Sequence, residues 1–265
     1  MEALLADPMM LSLALGAGVL VGFILGLVGG GGSILAVPLL LYGVGVETPH
    51  IAIGTAAVGV AVNAASGLAA HARAGTVKWP CALVFSGMGV LGAYAGSSLG
   101  KAIAGDTLLA AFGVAMVLIG IWTLVPRAGE DRPDVRLTRS SAGELLPRLM
   151  PFGFLAGGAA GFFGIGGGFL IAPGLMAATR MPLRIAVGTS LVALLAFGAT
   201  TAANYAAASL VNWPVAGAMI LGGFFGGVLG QRASSAAAAH HNMLAYLFAA
   251  LVIGVGAFIT WQAYP

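Results

Sequence analysis

Seven stretches without a single Asp, Glu, Lys or Arg follow one another along the chain, at 8–46, 51–70, 79–100, 107–125, 149–179, 185–231 and 233–265. None alternates apolar and polar residues with the period of two that a membrane barrel requires, so helices are the elements these runs predict. A bilayer core about 30 Å thick takes about 20 helical residues, so most runs cross once and the longest must turn back. The pattern parses into a hairpin of 10–28 with 34–45 and helices over 51–70, 80–99 and 107–125, then a second hairpin of 148–163 with 169–179 and helices over 185–208, 214–230 and 243–262. The expected fold is an all-α integral membrane protein: residues 1–125 form one repeat, 126–148 a linker and 149–265 a second repeat. Each repeat is a glycine-tipped helical hairpin plus three transmembrane helices.

The two sets are related in sequence. Gly26-Leu-Val-Gly-Gly-Gly-Gly-Ser-Ile-Leu-Ala-Val-Pro38 lines up with Gly161-Phe-Phe-Gly-Ile-Gly-Gly-Gly-Phe-Leu-Ile-Ala-Pro173 at an offset of 135. After one deletion, at offset 134, Ile51-Ala-Ile-Gly-Thr55 matches Ile185-Ala-Val-Gly-Thr189, Trp79-Pro80 matches Trp213-Pro214, and Gly89, Gly92 and Gly96 fall on Gly223, Gly226 and Gly230. Ordered Gly, Thr, Trp and Pro matches over about 75 residues mark an internal duplication.

Charge orients the halves. Arg127, Arg132, Arg136, Arg139 and Arg148 crowd the linker, which the excess of positive charge on cytoplasmic loops places inside. Threading from there puts Arg73, Lys78, Arg180, Arg184 and Arg232 on the same side, and of the 11 basic residues Lys101 alone falls outside. Each half then crosses an odd number of times, or three times plus a returning hairpin, so both termini are extracytoplasmic and the halves are inverted. Trp79, Trp213 and Trp261 fall at the interfaces, where indoles anchor.

Composition agrees: 60% of residues are hydrophobic and 7% charged, against about 25% charged in a soluble domain. The 43 glycines among 265 residues suit close helix packing in lipid. The net charge of +3 is too small to suggest nucleic acid. Cys81 is the one cysteine and reads as a small buried apolar residue. No basic segment with a small-residue cleavage site opens the chain, so the first apolar run is expected to be retained.

Short helices that follow glycine clusters at matching places in two inverted halves point to a transporter's midplane binding site. Gly30, Gly31, Gly32 and Gly166, Gly167, Gly168 leave backbone N–H groups and the positive end of a following half-helix free for an anion. Ser33 is placed as an N-cap whose hydroxyl also faces the solute. Helices after each hairpin add Thr55, Asn63 and Ser66 in one half and Thr189, Ser190, Thr200, Thr201 and Asn204 in the other. Thr55 and Ser66 are eleven residues apart, as are Thr189 and Thr200, which leaves each pair about 20° from one face at 100° per residue. These stripes are expected to line one cavity, with back-bonding to the helix as the competing role for each hydroxyl and an interhelical bond for each asparagine.

No Asp, Glu, Lys, Arg or His falls within the expected spans, which removes a carboxylate proton relay, a metal-ligand set and a charged counter-ion for the solute. His50, His71, His240 and His241 map to loops or helix ends, as solvated groups. The glycine clusters lack the Gly-Lys-Ser/Thr that completes a phosphate loop. No cofactor is implied.

The duplicated glycine-to-Pro motif at 26–38 and 161–173, the Ile-Gly-Thr and Val-Gly-Thr helix starts, the Trp-Pro pairs and the Arg-bearing linker together resemble the TauE/SafE family of sulfite and sulfonate exporters, over about Gly16 to Ile259. The resemblance implies a multi-pass permease of the bacterial inner membrane that moves sulfite, sulfoacetate or a related oxyanion. The expected function is a secondary transporter for a small sulfur-containing anion, exporting it on the membrane potential. The rivals are a passive anion channel, an importer coupled to protons or sodium, a membrane-embedded enzyme and a scaffold. A membrane enzyme would need a nucleophile or ligand set within the spans, and a scaffold has no use for paired glycine breaks. The expected partners are the anionic solute and the lipid bilayer; homo-oligomer formation is left open.

Overall fold

A computed structural model describes residues 7–28, 30–124, 135, 137–164, 168–236 and 241–263. The first half contains α1 (Pro8–Val28), a 3₁₀ segment (Gly30–Leu35), the single turn α2 (Ala36–Pro38), a π segment (Leu39–Gly43), α3 (Pro49–Arg73), α4 (Trp79–Ala102) and α5 (Gly105–Leu124). The second contains α6 (Ala142–Phe163), α7 (Gly168–Thr179), α8 (Leu183–Ala206), α9 (Trp213–Ala236) and α10 (His241–Ala263). Among the described residues, seven helices are long and apolar enough to cross a bilayer. Every described element is helical, as satisfying backbone hydrogen bonds in lipid demands.

The halves interlock. Helix α1 lies along α9 and α6 along α4. Gly18, Gly22 and Gly26 face Met219, Gly223 and Gly227, while Gly153, Gly157 and Gly161 face Phe85, Gly89 and Ala93. The three-residue sets recur every fourth position, one ridge of each helix, and they are related by the duplication offsets. A Cβ on Gly157 would meet the backbone of Gly89, 2.6 Å from its Cα, and one on Gly22 would stand 2.6 Å from the Cα of Gly223.

Helices α3 and α8 pack antiparallel: Gly54 at the start of α3 meets Tyr205 and Leu210 at the end of α8, and Gly188 at the start of α8 meets His71 and Thr76 at the end of α3. Helices α5 and α10 do the same, Gly113 meeting Gly256 and Thr260 while Gly120 meets Ala249 and Ile253. Even the turns correspond, with left-handed residues at Gly45 (φ 81°) and Arg180 (φ 58°), and at Gly75 (φ 67°) and Ser209 (φ 58°). Equivalent helices running antiparallel are compatible with the inverted duplication expected above.

Three differences from the expected elements matter. Helix α3 continues to Arg73 and α4 to Ala102, which carries His71 and Lys101 into helices expected to hold no ionisable group. Helix α6 starts at Ala142, so Glu144 and Arg148, at the end of the expected linker, lie on its first turns, 3.4 Å apart. Gly31 and Gly32 do not unwind: they stay helical in the 3₁₀ segment, with Gly32 packed on α1 around Val21 and Ile24. Pro38, which cannot donate to the turn before it, lies where the hydrogen-bond spacing widens into the π segment. Its counterpart Pro173 sits inside a continuous α7.

Candidate functional site

The 3₁₀ segment packs against α7, so the two segments that follow the glycine clusters meet inside the bundle. Ser33 is fully buried there, in the middle of the 3₁₀ segment and not at a helix N-cap, because the glycines before it remain helical. Gly31, Gly32 and Gly168 are buried. Gly30 opens the 3₁₀ segment; Gly166 and Gly167 lie outside the described residues. Gly164 ends α6 at φ 68° with Ile53 pressed against its missing side chain, a position that requires glycine on both counts.

Beside this core lies a cavity of ≈ 20 Å³, enough for about one water molecule. Its walls are Leu25 and Gly26 of α1, Asn63, Ser66, Gly67 and His71 of α3, Leu191 of α8, and Gly223, Gly227 and Gln231 of α9. Leu25 carries the contact onward, since Gly32 packs on its backbone. Asn63 is 3% exposed, and its Nδ2 is buried without an acceptor. It presses on Gly223, where any side chain would collide with the amide. Ser66 Oγ donates to the Asn63 carbonyl at 2.7 Å. His71 Nδ1 is 2.9 Å from Thr76 Oγ1, and that hydroxyl also lies 3.1 Å from the His71 carbonyl, so the imidazole is held in place. His71 is thus a cavity wall and not the solvated group expected from its place near a helix end.

The matching place in the other half is shut. At offset 134 Asn63 becomes Phe197, whose ring fills the space beside Gly89 and stacks on Phe85 with centroids 6.2 Å apart. One polar cavity therefore stands against one apolar plug.

The other expected residues do not share the cavity. Thr55 Oγ1 accepts from Asn212 N at 3.0 Å and Thr189 Oγ1 from Lys78 N at 3.1 Å, so each ties the start of its helix to the segment before the Trp-Pro pair of the opposite half. Because α3 and α8 are antiparallel, these threonines stand at opposite ends. Ser190 Oγ donates to the Val187 carbonyl at 2.8 Å and Thr200 Oγ1 to the Ala196 carbonyl at 2.7 Å, the back-bonding role. Thr201 Oγ1 is buried without a partner. Asn204 Nδ2 donates to Ser97 Oγ at 2.6 Å and Ser98 Oγ at 3.0 Å, far from Asn63. His50 Nδ1 is buried and lacks a partner; His240 and the His241 side chain lie outside the described residues. Trp79, Trp213 and Trp261 are exposed. What the sequence reading missed is Gln231, one residue before a positive charge and apparent only through its match to Ser97, and His71.

Residues 14–259 match the family described as "Sulfite exporter TauE/SafE". A "Probable membrane transporter protein" of Xylella fastidiosa (strain Temecula1 / ATCC 700964) is 47% identical over 254 residues, covering 96% of this chain and 96% of its own. A protein of the same description from Bacillus subtilis (strain 168), YunE, is 30% identical over 234 residues, covering 80% of this chain and 84% of its own. No solved structure matches.

Proposed function

As the chain belongs to the TauE/SafE family of membrane transporters, we propose that it carries a small sulfur-containing anion, sulfite or an organosulfonate, and that the Asn63 cavity is where that anion first binds. One observation carries the reading: a buried amide N–H without an acceptor, in a polar cavity between the two halves. An unsatisfied buried donor costs about 1–3 kcal/mol, and an oxyanion offers the acceptor it lacks. Ser66 and Gln231 supply further polar edges. The cavity holds less than a sulfonate head, so occupation requires its walls to move apart.

The cavity lies toward the end of α3 that bears Arg73, the cytoplasmic end on the charge argument. In this reading the linker is cytoplasmic, both termini face the periplasm, and the protein sits in the bacterial inner membrane. An anion taken up there and released outside moves down an inside-negative potential, gaining about 2.3 kcal/mol per charge per 100 mV. Export then needs no coupling ion. In proteoliposomes, efflux should accelerate when valinomycin and a potassium gradient make the interior negative, with no pH or sodium gradient. Transport that ignores potential and follows a proton or sodium gradient refutes uniport export.

His71 favours one alternative, a proton-coupled carrier, because it brings a titratable ring to the cavity wall. His71→Gln separates the two: a uniporter keeps its potential dependence, whereas a proton-coupled carrier loses its response to a pH gradient.

A further inference from the structure

The end of the α3–α8 pair remote from the cavity holds a second polar cluster, built around the one basic residue that charge placement leaves outside. Lys101, in the last turn of α4, donates from Nζ to the Asn204 carbonyl at 2.9 Å and to Asn204 Oδ1 at 2.7 Å. Nζ also stands 5.9 Å from the ring centre of Tyr205. Asn204 is held in turn by the two α4 serines, 97 and 98. Tyr205 is fully buried and its hydroxyl has no partner; it sits against Gly100, one residue before the lysine. Gly54 of α3 also packs on Tyr205, and nine helical residues separate it from Asn63, so the cluster and the cavity are about 14 Å apart along the bundle.

Two members of this cluster are the counterparts of two cavity residues, at the edge of the place that Phe197 shuts. At offset 134 Ser97 falls on Gln231 and His71 on Tyr205, two cavity residues and their two equivalents. Two members of the cluster have no such equivalent: Lys101 falls on Ser235, and Asn204 on Ala70. The duplication thus supplies a polar mouth at each end of the pair, and the lysine and asparagine that join α4 to α8 exist at one end only. Among the described residues no carboxylate pairs with Lys101. Its ammonium is satisfied by two neutral acceptors from one residue, which leaves the positive charge uncompensated and one N–H unassigned. The Lys101–Asn204 bonds already have an ionised donor; an oxyanion adds the attraction of opposite charges that the neutral amide lacks, so an oxyanion that reaches this mouth displaces the Asn204 amide.

We infer that Lys101, Ser98 and the Tyr205 hydroxyl form a second, outer anion site, and that Asn204 is the internal ligand that closes it when no anion is there. The inference rests on the transport reading above and adds to it the residue that receives the anion at the far side and the contact that must break for release. A lysine serving only to tie two helices has no need of a partner that an anion outcompetes.

The test is labelling of the full-length protein carrying Ser98→Cys and Cys81→Ala with a charged methanethiosulfonate reagent, with sulfoacetate as the probe anion. Ser98 is half-exposed, so the thiol should react, and sulfoacetate should slow the reaction at least fivefold, whereas chloride at equal ionic strength should not. Lys101→Met should remove this protection and Lys101→Arg should keep it. Asn204→Ala should lower the sulfoacetate concentration for half protection about tenfold, because the competing ligand is gone; a purely structural asparagine predicts no gain. An unreactive thiol, equal protection by chloride, or protection that survives Lys101→Met overturns the inference. Equilibrium dialysis of sulfoacetate against wild type and Asn63→Leu reads the inner cavity separately, so that failure of the outer site and failure of the transport reading give different results.

Discussion

Replacing Asn63 with Leu should make the protein more stable and less able to bind its anion. The two side chains branch at the same carbon and have similar size, but Leu brings no buried donor. With Nδ2 lacking an acceptor in a residue 3% exposed, removal of the amide relieves a penalty of about 1–3 kcal/mol. At about 2–4 °C per kcal/mol for a chain of this size, the melting temperature of the detergent-solubilised protein should rise by several degrees. Binding should change the other way, because a hydrogen bond to a charged partner contributes about 1.5–3 kcal/mol, or roughly ten- to a hundredfold in affinity at about 1.4 kcal/mol per tenfold. Thermal unfolding with and without sulfoacetate reads both effects in one assay: the variant should melt higher alone and lose the ligand-induced shift. Asn63→Phe provides a second arm, since the other half already accommodates Phe197 against Gly89 at the matching place; it should insert and fold but bind nothing. The reasoning is refuted if Asn63→Leu lowers the melting temperature, which would mean the amide is satisfied in the folded protein, or if it binds sulfoacetate as wild type does.

Other substitutions probe the scaffold. Gly157→Ala sets a methyl into the Gly89 backbone and should destabilise by about 1–3 kcal/mol through separation of α6 from α4; the melting temperature of Gly217→Ala, whose side chain would meet nothing within 4 Å, is the control and should hardly move. Ser209→Gly should raise the melting temperature by about 2–4 °C, because a left-handed non-glycine residue costs about 1 kcal/mol and its counterpart Gly75 already has the residue this turn prefers. Thr55→Val and Thr189→Val each orphan a backbone N–H, so they should lower the melting temperature while equilibrium dialysis finds anion affinity unchanged.

The all-helical membrane fold was legible because lipid leaves the chain few choices: apolar runs must be helices, and glycines spaced by four favour helix crossings. The site was legible only in part. Asn63 and Ser66 stood out as polar residues in an apolar span, but spacing along one helix says nothing of what faces it from another. Thr55 and Thr189 lie on matching faces of matching helices, yet antiparallel packing sends them to opposite ends. His71 and Lys101 lie just beyond the long apolar runs of their helices, where the pattern marks a loop or helix end; in the fold, each helix continues about one more turn, so that His71 bonds Thr76 in the turn that follows and Lys101 bonds Asn204 of α8. The first glycine cluster reads as a break, but Gly31 and Gly32 remain helical, with Gly32 against α1. The difference between the halves at Asn63 and Phe197 is written in the sequence and acquires its meaning once both are seen facing a glycine.

Counterflow in proteoliposomes tests the central claim most directly. Vesicles loaded with unlabelled sulfoacetate and placed in trace labelled sulfoacetate should accumulate label transiently above its external concentration, with a rate that saturates and disappears in Asn63→Phe. Label that only equilibrates, at a rate proportional to concentration and equal in Asn63→Phe, would contradict a carrier that works through this cavity.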